Sequence, residues 1–167
     1  EQGIRFHGSS KVLNQGFPRR NKLDAYVDAN LGGDAFNERS RSCYVIQLNG
    51  GMVSMKIMKQ PVVARSTGHA EMRALAMLAQ QLQFCTDLLS ELGYGVGCVR
   101  CLEDNASVVL QAGGDSQAAK SCHYRRDQAY VDEFVNAGKM YVDKSIRNST
   151  LRTYSCRYKG CIKPWTI

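Results

Sequence analysis

Apolar residues switch from a strand period to a helical one near residue 66, and that switch constrains the architecture more than any other feature. Leu23 to Asn30 alternates Leu, Ala and Val against Asp, Tyr and Asp, which reads as a half-buried strand. Cys43 to Leu48 and Met52 to Ile57 read as second and third strands, joined by Asn49-Gly50-Gly51, residues that tolerate the positive φ of a hairpin turn. After the helix-capping pair Ser66-Thr67 the spacing becomes helical, with Leu75, Leu78, Leu82, Cys85 and Leu89 on one stripe, and the helix is expected to run to about Leu92 and stop at Gly93. A fourth strand over Gly97 to Glu103, a short helix over Asn105 to Gln111, a helix over Tyr124 to Asn136 and a fifth strand over Lys139 to Asp143 complete the pattern. The order β-β-β-α-β-α-α-β predicts an α/β domain whose mixed five-stranded sheet is flanked by helices, antiparallel at its start and crossing over through helices later.

The length of 167 residues suits one domain with a single core, burying roughly 70% of the unfolded surface. Ala74 to Thr86, the longest uncharged stretch, carries Gln80, Gln81 and Gln83 and is shorter than the roughly 18 apolar residues a spanning helix needs, so no membrane span is expected. Glu1 to His7 has neither a starting Met nor the apolar core of a secretory signal, and the chain is expected to be a fragment or processed piece. Seven cysteines cannot all pair internally, and Cys85 lies on the apolar helical stripe, which points to reduced thiols in an intracellular compartment. Charge is uneven: residues 1–22 hold five Lys/Arg against one acid, residues 23–119 seven against ten, and residues 120–167 ten against four. Basic ends around an acidic centre suit a polyanionic partner such as nucleic acid together with a cation ligand, although basic ends also serve solubility.

Stepping back along the helical stripe from Leu82 through Leu78 and Leu75 reaches position 71, which is Glu. Singly, Glu71 could serve the helix dipole, and Asp28 and Asp104, near the ends of the first and fourth strands, could be turn or cap residues. Together they make a sharper expectation. If those two strands are neighbours, Asp28 and Asp104 lie side by side and the helix can bring Glu71 above them. Three such close acids repel one another unless cations bind between them, and hard oxygen ligands in an open arrangement select Mg²⁺ or Mn²⁺ over zinc. Two ions held about 4 Å apart can activate a water and stabilise a leaving oxygen in phosphodiester cleavage.

In order along the chain, these residues resemble the ribonuclease H domain of copia-type retrotransposon polyproteins, which has the ribonuclease H-like fold. Gly3-Ile4-Arg5-Phe6 is similar to the segment leading into that domain, and Tyr26-Val27-Asp28-Ala29-Asn30-Leu31-Gly32-Gly33-Asp34 to the segment with its first metal-binding Asp. The most distinctive match comprises Ser54, Lys56, Lys59-Gln60, Val63-Ala64, Ser66-Thr67 and Ala70-Glu71, followed by Asp104-Asn105, Ser107 and His123. The resemblance covers about residues 1–145, leaving 146–167 as a diverged basic extension. It implies Asp28, Glu71 and Asp104 as catalytic metal ligands and cleavage of RNA in an RNA-DNA hybrid. Lys56, Lys59, Gln60, Asn105, Arg125 and Arg126 are the expected nucleic-acid contacts, through phosphates and RNA 2′-hydroxyls.

The chain also departs from that family. Arg41 and Cys43 stand where Thr and Gly are usual, Arg125 stands where an Asp is usual, and Ser145 to Tyr154 has no acid where a fourth carboxylate belongs. Asp127, Asp132 and Asp143 are candidate substitutes at unmatched positions. A decayed, domesticated module that binds RNA or sits among other subunits of a larger assembly, such as a ribonucleoprotein, is the alternative function. Two metal alternatives use other residues. His69-Ala70-Glu71 with Cys98 and Cys101 resembles a zinc deaminase signature but lacks its Pro and its helical Cys pair, while Cys98, Cys101, Cys156 and Cys161 are loosely spaced for structural zinc. Tyr154, Arg157, Tyr158, Lys159 and Trp165 interleave aromatic and basic side chains, which suits either single-strand RNA binding or a packed extension.

Overall fold

The computed structural model describes residues 21–33, 36–112 and 122–144, leaving aside the side chains of Cys122 and His123. The expectations for residues 1–20, Asp34, the His123 side chain, Gly113 to Asp115 and residues 145–167 lie outside this set.

The elements follow the predicted order: β1 (Leu23–Asn30), β2 (Arg41–Leu48), β3 (Gly51–Lys59), α1 (Thr67–Glu91), β4 (Val99–Glu103), α2 (Ala106–Ala112), α3 (Cys122–Asn136) and β5 (Met140–Lys144). They form one five-stranded sheet in the order β3-β2-β1-β4-β5. β1, β2 and β3 are antiparallel neighbours, whereas β4 lies parallel to both β1 and β5. A strand that re-enters parallel to its neighbour needs a crossover, and α1 supplies it between β3 and β4.

Local chemistry accounts for the element ends. In the β2–β3 turn Asn49 and Gly50 both take positive φ, 51° and 83°, matching the twist a two-stranded hairpin requires. Ser66 caps α1 by accepting the His69 N–H at 3.2 Å. At the other end Gly93, at φ 80°, lets the Tyr94 N–H turn back to the Leu89 carbonyl at 2.8 Å. β2 and β3 run further than their apolar residues imply, pairing Arg41 with Lys59, because ladder hydrogen bonds are made by backbone whatever the side chain. β4 begins later than Gly97, at Val99, whose N–H bonds the Lys139 carbonyl at 2.9 Å.

One sheet face carries the core. Leu23, Ala25 and Val27 of β1 and Tyr44 and Ile46 of β2 meet Met72, Leu75, Leu78 and Leu82 of α1, and α2 and α3 add Val108, Val131 and Phe134. Leu75, Leu78 and Leu82 lie on the helical stripe seen in the sequence and Met72 adds to it at the helix start, so sheet and helix bury the faces their periods define. No described helix is long and apolar enough to cross a membrane.

Leu78 is fully buried at the centre of this contact, so Leu78→Ala is expected to cost about 2–5 kcal/mol in urea unfolding. Phe84, on the exposed side of α1, is expected to tolerate Ala within roughly 0.5 kcal/mol in the same measurement.

Candidate metal centre

β1 alternates buried Leu23, Ala25 and Val27, on the helix-covered face, with half-buried Asp24 and Tyr26, and the alternation ends at half-buried Asp28, Ala29 and Asn30. The parallel register pairs Tyr26 with Leu102, and two residues further along each chain come Asp28 and Asp104. Asp104 lies just beyond β4, where the backbone turns into α2. Glu71 enters from above on the second turn of α1. One carboxylate oxygen from each of Asp28, Glu71 and Asp104 lies within 4.8 Å of the others. The three expected residues, 76 positions apart at the extremes, therefore converge at one end of the β1–β4 pair.

Two of their other readings fall away on geometry, the helix-dipole role of Glu71 and the cap role of Asp104. Glu71 lies past the first turn of α1 and accepts a hydrogen bond from the Ala29 amide, so it faces β1 rather than the helix terminus. Asn105, not Asp104, caps α2, its Oδ1 accepting the Ser107 N–H at 3.0 Å.

A fourth carboxylate lies behind the three. Glu103 is 0% exposed, its Oε1 accepts the Asn105 N–H at 3.0 Å, and its Oε2 has no protein partner. Sequence reasoning missed it, although alternation along β4 places Val99, Cys101 and Glu103 on the buried face.

Burial dominates the electrostatics. Glu71 is 5% exposed, and desolvation first, then the charges of Glu103, Asp28 and Asp104, push its carboxyl up to about 10 against the partial relief of the Ala29 amide. Burial likewise raises Glu103 to about 8, with the Asn105 amide pulling the other way and the Asp104 charge adding to the rise. Two neighbouring buried carboxyls held so far above their ordinary range are sites short of positive charge. Glu71 Oε2 is also buried without a protein partner, while Asp104 is exposed. An all-oxygen set with one buried unsatisfied ligand and one open side fits a hard divalent cation.

The remaining expected residues separate. Lys56 and Lys59 are exposed on the edge strand β3, Arg125 and Arg126 are exposed on α3, and Asn105 is half-buried. Gln60 requires correction. It is 2% exposed, its Nε2 donating to Ser42 Oγ at 2.8 Å and to the Ala70 carbonyl at 2.9 Å, so it is not available to touch nucleic acid. None of the candidate substitutes joins the three acids: Asp143 pairs with Arg100 at 2.8 Å, Asp127 faces Arg73 at 4.0 Å, and Asp132 is absent from the cluster. Cys101 is buried against Met140 Sδ at 3.8 Å while Cys98 is exposed outside β4, and they form no metal-ligand group with His69.

No protein-family model matches the chain. Over 123 residues it is 37% identical to the Retrovirus-related Pol polyprotein from transposon RE1 of Arabidopsis thaliana, covering 72% of this chain and 8% of that polyprotein. It is 36% identical over 85 residues to the Secreted RxLR effector protein 161 of Plasmopara viticola, half of this chain and 60% of that one. The chain thus spans less than two thirds of either relative. Among solved structures, LC11-RNase H1 in complex with an RNA/DNA hybrid aligns with a TM-score of 0.60 at 15% identity, covering 78% of this chain and 90% of that one. At that identity the likeness is one of fold.

Carboxyls whose affinity for protons rises on folding stabilise the protein fully below their unfolded value of 4.5, and that stability is lost as pH rises through the folded values. Metal-free protein is expected to show a falling Tm between about pH 5 and about pH 8, the fall flattened by Glu71→Gln and opposed by added divalent cation. Thermal melts across that range with and without a chelator check this.

Proposed function

The chain is a homologue of the retrovirus-related Pol polyproteins of copia-type transposons and has the ribonuclease H-like fold, and from that premise we propose that it hydrolyses the RNA strand of RNA–DNA hybrids. The observation that carries this reading is the meeting of Asp28, Glu71 and Asp104, from three separate elements, within 4.8 Å. Mg²⁺ or Mn²⁺ is the cofactor those oxygens suit. Bound there, such ions supply Lewis acidity, lowering the pKa of a water and neutralising charge on the leaving oxygen.

The residues divide the work. Glu71, buried and anchored by the Ala29 amide, fixes the inner side of the site. Asp104 lies on the exposed side, where a scissile phosphate can approach. Glu103 holds the Asn105 amide and so shapes the turn that presents Asp104. Exposed Lys56, Lys59, Arg125 and Arg126 supply cations for the phosphate backbone, and Asn105, next to the acids, is placed to read a 2′-hydroxyl in the wide minor groove. We read residues 1–145 as the ribonuclease H-like domain and 146–167 as a basic extension. With no acid in Ser145 to Tyr154, a second ion is held more weakly than the first, and saturation calls for more Mg²⁺.

Cleavage of a labelled RNA–DNA hybrid in Mg²⁺ tests the proposal. Asp104→Asn is expected to cut the rate by more than the roughly 10–100-fold that loss of an outer-shell partner costs, while hybrid binding in EDTA is retained. Wild-type protein that binds the hybrid but cleaves in neither Mg²⁺ nor Mn²⁺ would be a domesticated binding module instead, and loss of binding as well would leave a structural part of a larger assembly.

A further inference from the structure

Gln60 follows the last residue of β3, and its backbone N–H bonds the Ser40 carbonyl at 2.8 Å. Both protons of its side-chain amide are taken up, one by Ser42 Oγ of β2 at 2.8 Å and one by the Ala70 carbonyl of α1 at 2.9 Å. The Ala70 carbonyl and the Glu71 N–H belong to one planar peptide unit, so a bond that fixes the carbonyl's direction also fixes where the Glu71 Cα sits. From the other side the Glu71 carboxylate is held by the Ala29 amide of β1. Glu71 is therefore gripped twice, through its backbone from the β2–β3 edge and through its side chain from β1.

The amide is not there simply to fill space. Gln60 Oε1 is buried without a hydrogen-bond partner, a penalty on the order of 1–3 kcal/mol that an apolar residue of similar length would not carry. What the amide contributes in return is direction, two donors aimed from one nitrogen at a sheet hydroxyl and a helix carbonyl.

We infer that Gln60 is a positioning residue for Glu71, locking the start of α1 against β2 so that the Glu71 carboxylate meets Asp28 and Asp104 at cation-binding distance. This rests on the reading of those three acids as a divalent-cation site. Gln60 is 2% exposed and has no surface to offer a hybrid, so the lock acts on the cation and not on the hybrid.

The test is Mn²⁺ titration calorimetry on the full chain, with Gln60→Met, Ser42→Ala, Leu78→Ala and Asp104→Asn beside wild type, all below their melting temperatures. Gln60→Met, which keeps length and volume but donates no hydrogen bond, is expected to weaken Mn²⁺ binding about 10–100-fold and leave hybrid affinity in EDTA unchanged. Ser42→Ala, which removes one anchor of the amide, is expected to weaken Mn²⁺ binding less, in the same direction. Leu78→Ala, destabilised through the core alone, keeps wild-type Mn²⁺ affinity. Wild-type Mn²⁺ affinity in Gln60→Met overturns the inference and leaves the cation site standing, as does unchanged affinity in Ser42→Ala should Gln60→Met fail to fold. Equal weakening in Leu78→Ala overturns it too, by reducing the effect to stability. Wild type that binds no Mn²⁺, or binds it no better than Asp104→Asn, removes the cation site itself and the inference with it.

Discussion

Asp28, Glu71, Glu103 and Asp104 crowd one end of the β1–β4 pair, and the burial of Glu71 and Glu103, reinforced by the neighbouring charges, is the constraint around which the rest of this structure is arranged. Each acid is held by something the fold supplies independently. Strand pairing sets Asp28 beside Asp104, the β3–α1–β4 crossover lowers Glu71 onto them, and Glu103 is tied to the turn it precedes by the Asn105 amide. Without a cation, burial raises the proton affinity of Glu71 and Glu103 above that of ordinary carboxyls. A site that stores unfavourable charge in this way is poised to bind positive charge, and the stability of the surrounding core makes the arrangement affordable.

The core and the site are built from the same elements. α1 spends one face on Met72, Leu75, Leu78 and Leu82, packed against β1 and β2, while its start carries Glu71 to the sheet edge. The helix is anchored at its start by Ser66 at the cap and by Gln60 at the first turn. Anchoring of the helix start, strand register and turn geometry thus reach the three acids by separate routes.

Most of the fold was legible because two periods dominate it. Alternation in Leu23 to Asn30, the Asn49-Gly50 turn and the long stripe ending at Gly93 each state a local geometry, and tertiary packing left them in place. Glu71 was legible for the same reason, since it continues the stripe by one more helical step. Glu103 was overlooked because attention to Asp104 as a strand-ending residue hid the alternation that buries its neighbour. Gln60 was misassigned for a deeper reason. A polar residue after an exposed Lys reads as surface, and only the meeting of Ser42 and Ala70, 28 positions apart, makes a buried place for its amide. Strand ends moved by a residue or two because backbone pairing continues past the last apolar side chain.

The most direct test of the account is a crystal grown or soaked with Mn²⁺ and measured at the manganese absorption edge. The account predicts an anomalous peak bonded to oxygens of Asp28, Glu71 and Asp104 together, at the roughly 2.0–2.2 Å typical of small divalent cations on carboxylates. Carboxylates standing apart or turned onto arginines, with no manganese among them, would contradict it.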